Sequence, residues 1–147
     1  MLTNNNSNNN QAYNPTNPDD RNFQKCGRVF TGTVERVMKW NRIYSDFCYY
    51  EVIASVIAFQ DGPNRSQRTM LLRDRQGPIL QVIYYSNDRI NINDFFVGET
   101  LRCLGHMTSA NTLHALSIRV ATNEELTTLQ RMVYISEHAM MSCLEKK

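Results

Sequence analysis

The sequence predicts an all-β domain with helices, namely a closed five-stranded barrel followed by a C-terminal α-helix. Short stretches rich in β-branched and aromatic residues alternate with turn residues between Phe47 and Val120. After Val120 the pattern changes to apolar residues at helical spacing. A chain of 147 residues fits one such domain with a single hydrophobic core.

The composition is that of an ordinary globular protein, with 41% hydrophobic and 20% charged residues. The net charge is only +2, so any nucleic-acid surface must be a local patch rather than an overall positive field. No apolar run reaches the ~20 residues that a membrane span needs, and the N-terminus lacks the basic start and apolar stretch of a secretory signal. We therefore expect a protein of the cytosol or nucleus that does not contact a membrane.

The four cysteines are scattered along the chain and form no C-x-x-C pair: Cys26, Cys48, Cys103 and Cys143. Structural zinc sites need closely spaced pairs of ligands, and the three histidines do not create one. We expect reduced, mostly buried thiols and neither a metal nor another cofactor.

The first 22 residues are rich in asparagine and contain two Asn-Pro pairs. Such a segment has little to bury and cannot offset its conformational entropy, so we expect a disordered tail over residues 1–22. The barrel is then expected over residues 23–121 and the final helix over residues 122–147.

Each barrel element has its own pattern. Thr33 is a helix N-cap candidate for a short helix that ends near Trp40-Asn41, and Gly105 inside a strand indicates a bulge or a barrel corner. A long polar loop is expected from Ser86 to Asn93. The predicted strands are Phe47–Phe59, Arg68–Asp74, Ile79–Tyr85, Thr100–Met107 and Thr112–Val120.

The last helix begins with a capping box, in which Thr122 and Glu125 satisfy two backbone amides reciprocally. Its apolar residues cover more than one face, which predicts that one face packs on a partner protein. The alternative is that both faces pack on the helix's own barrel. The predicted partner-binding residues are Leu129, Met132, Val133, Ile135 and Met140.

Five short strands also suit an SH3-like barrel, but the late terminal helix and the early helix before the first long strand favour an OB fold. Several segments, and the order in which they follow along the chain, resemble the middle subunit of replication protein A and its relative Stn1. The resemblance extends from Phe23 to Met141. The segments that carry it are Arg28–Met38, EVIASVIAF from Glu51, Leu72–Tyr85, GETLRCLGHM from Gly98 and ATNEELTTL from Ala121.

The resemblance implies a nuclear, chromosome-associated subunit that binds single-stranded DNA weakly by itself. It also implies a smaller OB-fold partner, either Ten1-like or like the replication protein A small subunit, held by the C-terminal helix. The chain departs from replication protein A in its asparagine-rich tail and in having no winged-helix region before Lys147. Both departures suggest a specialised, telomere-capping member.

The predicted DNA-binding residues combine aromatic and basic side chains, because bases stack on aromatic rings and phosphates pair with cations. Neighbours on a strand point to opposite faces, so only one of Tyr84 and Tyr85 can face the groove, and the alternation leaves the choice open. The resemblance places Tyr84 where the family has a stacking tryptophan and Arg102 where it has a lysine. The full predicted set is Tyr84, Arg102, Arg73, Arg68 and Arg65, with Arg75 and Arg89 in nearby loops.

The family's second stacking aromatic has no counterpart here, since Ala110 or Asn111 stands at that place. Losing one stacking ring favours a competing interpretation, a protein–protein scaffold without useful DNA affinity. RNA binding is a third interpretation, because stacking does not depend on the sugar. Catalysis has no support, as the sequence contains no G-x-S-x-G, phosphate-binding loop or H-E-x-x-H motif.

Overall fold

The computed structural model describes residues 28–87, 90–91 and 93–146. The predicted tail (residues 1–22), Cys26 and Arg89 lie outside the described residues. The described elements, in chain order, are β1 (Val29–Gly32), α1 (Val34–Ile43), β2 (Tyr49–Asp61), β3 (Gln67–Arg73), β4 (Ile79–Tyr85), β5 (Thr100–Ser109), β6 (Thr112–Val120) and α2 (Asn123–Glu145).

The barrel is closed by the long strand β2, which pairs with β3 on one edge and with β5 on the other. Between them, β3 pairs with β4, β4 runs parallel to β6, and β6 pairs with β5. The predicted five-stranded closed barrel is confirmed. The additional strand β1 pairs in parallel with the first residues of β2. It lies on the same edge of β2 as β3, which pairs with the later residues of β2.

The barrel interior is filled by the alternate residues of each strand that point inward. Leu80 and Val82 of β4 and Met70 and Leu72 of β3 have no exposed surface. At one end the core continues into an aromatic group that contains Phe30, Trp40, Tyr44 and Tyr50, with Phe30 in ring contact with each of the other three. The tryptophan is therefore a core residue.

Helix α1 begins where the sequence predicts it, since the Thr33 hydroxyl accepts a hydrogen bond from the amide of Arg36. Two further amides of its first turn, those of Val34 and Glu35, donate to the carboxylate of Asp74. A carboxylate at a helix N-terminus also interacts favourably with the helix dipole. The helix continues to Ile43, two residues past its predicted end at Asn41.

Helix α2 has the predicted capping box between Thr122 and Glu125. Arg119 of β6 donates two hydrogen bonds to the Glu125 carboxylate, at 2.6 and 2.8 Å. These bonds from Arg119, together with those from Thr122, lower the pKa of Glu125 to about 2. The ion pair thus joins the end of the barrel to the start of the helix. No helix in the described part of the chain is long and apolar enough to cross a membrane.

The body of α2 lies along β1. The Ser136 hydroxyl accepts a hydrogen bond of 2.8 Å from the amide of Thr31, and Met140 is fully buried. Glu137 accepts a hydrogen bond of 2.6 Å from the indole of Trp40, which links α2 to α1. One side of the helix is therefore fixed to its own barrel.

Gly105 lies at a change of register between β5 and β6, as predicted from its position inside a strand. A Cβ atom at this position would lie 2.8 Å from the carbonyl carbon of His114 and 2.9 Å from the Cα of Ala115. The two strands approach closely here only because residue 105 has no side chain.

Candidate nucleic-acid and partner surfaces

The two tyrosines at the end of β4 point to opposite faces of the sheet. Tyr84 is 0% exposed and makes an edge-to-face contact with Phe95 in the core. Burial raises the pKa of its phenol, although the nearby Arg68 acts in the opposite direction. A fully buried ring offers no face to a base, so the prediction that Tyr84 stacks on DNA is wrong.

Tyr85 is the outward tyrosine, with 39% of its surface exposed. It lies opposite Gln67 of β3, and its ring is 5.5 Å from that of His114 on β6. His114 was not among the predicted site residues. His114 could have been predicted from its position in β6, because it lies between Leu113 and Ala115, which point to the buried face of the strand.

Two of the predicted arginines lie at the same end of the barrel as Tyr85. Arg65 is in the β2–β3 turn, and Arg68 follows on β3. The guanidinium of Arg68 lies 4.6 Å from the centre of the Phe59 ring and 3.8 Å from the Asp61 carboxylate. Both arginines line a cavity of about 510 Å³ at this turn. The structure therefore brings Arg65, Arg68 and Tyr85 to one end of the β3–β4 hairpin.

Arg73 is at the opposite end of β3, where it pairs with Ile79. It lines a different cavity of about 990 Å³ between the barrel and the first half of α2, together with Arg36 and Arg75. The prediction that Arg73 acts as one set with the other arginines is therefore not supported by its position.

Arg102 has a carboxylate partner that the sequence pattern did not predict. Its Nε donates to Glu51 on β2 at 2.7 Å, and its Nη1 donates to the Ser117 hydroxyl at 3.2 Å. Only 16% of its side chain is exposed. Arg102 also lies on the β2–β5–β6 side of the barrel, away from the β3–β4 hairpin. The prediction that it binds phosphate is corrected: the charge is balanced within the protein.

The five predicted partner-binding residues of α2 are split between two environments. Met140 is buried in the protein's own core and is not available to a partner, whereas Val133 is partly buried against that core. Leu129 and Met132 are half-buried, and Leu129 lines the larger cavity. Ile135 is the member of the set that is clearly exposed, at 58%.

The exposed side of α2 carries apolar residues besides Ile135. Tyr134 is 66% exposed, and its ring packs edge-on against His138 at 4.6 Å. Leu126 and Met141 are also exposed, and Leu126 and Tyr134 line the cavity between the barrel and α2. The helix is thus docked through Ser136 and Met140 and leaves apolar side chains exposed around the rest of its surface, which is the arrangement expected of a helix with a partner.

Potential metal ligands are dispersed, and no group of three or more His, Cys, Asp or Glu side chains among the described residues could hold a metal ion. The cysteines in this part of the chain, Cys48, Cys103 and Cys143, are free thiols. Complete burial raises the pKa of the Cys103 thiol to about 12.

Comparisons by sequence find no matching family model and no matching curated protein. Comparisons by structure do find relatives. The chain is similar to a protein in a replication protein A heterotrimer bound to single-stranded DNA. The TM-score is 0.60 and the identity 8%, over 78% of this chain and 98% of the other. It is also similar to the yeast Stn1 and Ten1 structure, with a TM-score of 0.58 and 13% identity over 78% of this chain and 75% of that one. A third similarity is to Ten1 from Saccharomyces pombe, with a TM-score of 0.52 and 14% identity over 76% of this chain and 98% of that one.

This chain has the OB fold. The structural neighbours and the parallel pairing of β4 with β6 in a closed barrel confirm the prediction of an OB fold. In OB folds, the outer face of the second and third barrel strands and the two flanking loops bind oligonucleotides. In this chain these are β3 and β4, the turn that contains Arg65, and the Ala110-Asn111 turn between β5 and β6.

Proposed function

We propose that the chain is a non-catalytic, single-stranded DNA-binding subunit of a nuclear complex that acts at chromosome ends or replication intermediates. It pairs with a second, smaller OB-fold protein through the exposed side of α2. The observation that carries the proposal is the outer face of the β3–β4 hairpin. It presents the exposed Tyr85 at the same end of the hairpin as Arg65 of the β2–β3 turn, whereas Arg68, directly opposite the buried Tyr84, lies on the other face of β3. Helix α2 packs on β1, and α1 packs mainly on β1 and β2.

The β3–β4 face has both kinds of group that hold a single strand. The Tyr85 ring, in contact with His114, offers a stacking surface to a base. Arg65 stands at the adjacent β2–β3 turn and supplies positive charge for phosphates, while Arg68 on β3 lies against Phe59 and Asp61 at the same end. One of the structural neighbours belongs to a heterotrimer bound to single-stranded DNA, which supports this ligand class.

The affinity of the isolated chain is expected to be low. No aromatic residue is present at the β5–β6 turn, where Ala110 and Asn111 stand. One stacked base is worth ~1–3 kcal/mol, so the missing ring weakens binding by roughly 5-fold to 160-fold. Useful affinity then comes from sharing the strand with a partner subunit.

The DNA-binding part is tested with labelled oligonucleotides across a salt series, with and without the partner. Tyr85→Ala should weaken binding about five-fold or more. Phe96→Ala, which removes an exposed ring outside both α2 and the β3–β4 face, is the matched control and should leave DNA affinity unchanged. If salt-dependent binding is absent both with and without the partner, the DNA-binding function is rejected.

The partner-binding part is tested by co-purification from the source cell. Tyr134→Glu combined with Ile135→Glu places two charges on the exposed side of α2, which should abolish pairing while the barrel stays folded. Gln130→Glu, an exposed polar position on the same helix, is the control. Unchanged co-purification of the double variant would reject α2 as the interface.

A second candidate function is a protein–protein scaffold without DNA affinity. The ion pair of Arg102 with Glu51 favours it, because it removes one of the cations predicted to bind phosphate. The salt series above separates the two functions, and competition between matched DNA and RNA strands tests the choice of nucleic acid.

A further inference from the structure

The ring contact between Tyr85 and His114 is the first of a row that leaves the β3–β4 face and crosses the barrel. The His114 ring is 5.3 Å from that of His106, which is 5.6 Å from that of Phe47, which is 5.2 Å from that of Tyr49. We call these five residues, Tyr85, His114, His106, Phe47 and Tyr49, the ring row.

Strand register explains why the rings form a line. His114 is the direct partner of His106 across the β5–β6 pair and of Ile83 across the β4–β6 pair. Tyr85, two residues beyond Ile83, shares its face of the sheet. On the other side, Gly105 pairs with Tyr50, so His106 and Tyr49 come next to each other on the outer surface. Backbone pairing therefore places Tyr85, His114, His106 and Tyr49 on one surface, and Phe47 joins them from the segment just before β2.

Tyr85 at one end of the row and Phe47 near the other are exposed to solvent. Phe47 is 49% exposed, although an apolar ring left in water is unfavourable. Phe47 and His106 also border a cavity of about 210 Å³, so there is room for a further planar group next to them. Exposed rings in a continuous row are typical of surfaces that stack successive bases.

We propose that the ring row is a second stacking segment, on which a DNA strand that starts at Tyr85 continues across β6 and β5 to Phe47. This proposal rests on the proposed function. The strand's phosphates meet Arg65 at the Tyr85 end, while the far end holds bases through ring contacts, since Asp46 next to Phe47 does not favour phosphate there. The row thereby supplies stacking that the Ala110-Asn111 turn does not.

The test uses the full chain and two poly-dT lengths, a short one of about 4 nucleotides and a long one of about 16, the range of site sizes for OB folds. Phe47→Ala and His106→Ala should each weaken binding of the long strand about five-fold or more and leave the short strand unaffected. Phe47→Trp should keep or increase the affinity. Phe96→Ala, which removes a 66% exposed ring outside both the ring row and α2, is the matched control.

The outcomes separate this inference from the proposed function. If Tyr85→Ala weakens both strands while Phe47→Ala and His106→Ala change neither, the domain binds DNA but the ring row does not, and the inference is overturned. If Phe47→Ala reduces partner pairing and leaves DNA affinity unchanged, the row is a protein-docking surface, which also overturns it. If the unaltered chain shows no salt-dependent binding of either length, both alone and together with the partner, the proposed function itself fails.

Discussion

Replacing Met140 with alanine tests whether α2 is docked on its own barrel. Met140 is 0% exposed and belongs to the same buried cluster as Phe30 and Trp40. Truncating a buried methionine removes the transfer free energy of the lost atoms and leaves a cavity, at a cost of about 2–5 kcal/mol. We expect a loss of about 3 kcal/mol in the free energy of unfolding. Met141→Ala, at the next position, which is 37% exposed, should cost much less, about 0.5 kcal/mol.

The assay is urea unfolding followed by circular dichroism. With a slope of roughly 1.5–2 kcal/mol per molar urea for a domain of this size, Met140→Ala should lower the midpoint by about 1.5–2 M. Equal midpoints for the two methionine variants would refute the reasoning. They would mean that the helix is not docked in the isolated chain and that Met140 is free for a partner, as the sequence predicted.

Three further predictions concern the barrel and its helices. Gly105→Ala should cost at least about 3 kcal/mol or prevent folding, because the new Cβ meets the backbone of β6, and urea unfolding or the soluble yield measures this. Trp40→Phe removes the donor to the Glu137 carboxylate, so thermal and urea unfolding should show a loss of about 2 kcal/mol, and an unchanged stability would contradict that bond. Burial and the charge of His114 lower the pKa of His106, so the unfolded chain binds a proton that the folded chain resists. Stability should therefore fall as the pH drops through about 6.5, and His106→Gln should flatten this dependence in urea unfolding at several pH values.

The sequence predicted best those elements whose signals are local. The bounds of β4 and β6 agree with the structure because turn residues stand at both ends of each strand. The start of α2 agrees because the capping box lies within four consecutive residues, from Thr122 to Glu125. The bulge at Gly105 was predictable for the same reason, since a glycine inside an apolar strand often marks a bulge or a close approach of two backbones.

The choice between Tyr84 and Tyr85 failed although a local signal was present. Tyr85 shares its parity with Gln81, and a glutamine belongs on the outer face of a strand rather than in the core. The family resemblance pointed to Tyr84 instead, and its prediction was followed. In addition, the outer face of β4 carries the apolar Ile83, so the residues on the two faces of the strand differ little in polarity.

The remaining errors concern contacts between residues far apart in the chain. Glu51 and Arg102 meet only because β2 and β5 pair in one register, which no local pattern contains. The row from Tyr85 to Phe47 likewise needs several strand registers at once. The division of α2 into a docked and an exposed side depends on how the helix is rotated on β1, and its apolar residues alone do not determine that rotation.

The hydrogen bond from the Thr31 amide to Ser136 has a consequence for how the protein behaves at high concentration. β1 pairs with β2 on one edge, so its other edge is the place where a strand from another molecule could add. The Ser136 hydroxyl accepts a hydrogen bond from the Thr31 amide on that edge, and α2 lies along the edge. The same helix that is proposed to select a partner therefore also shields the chain from unspecific polymerisation through strand addition.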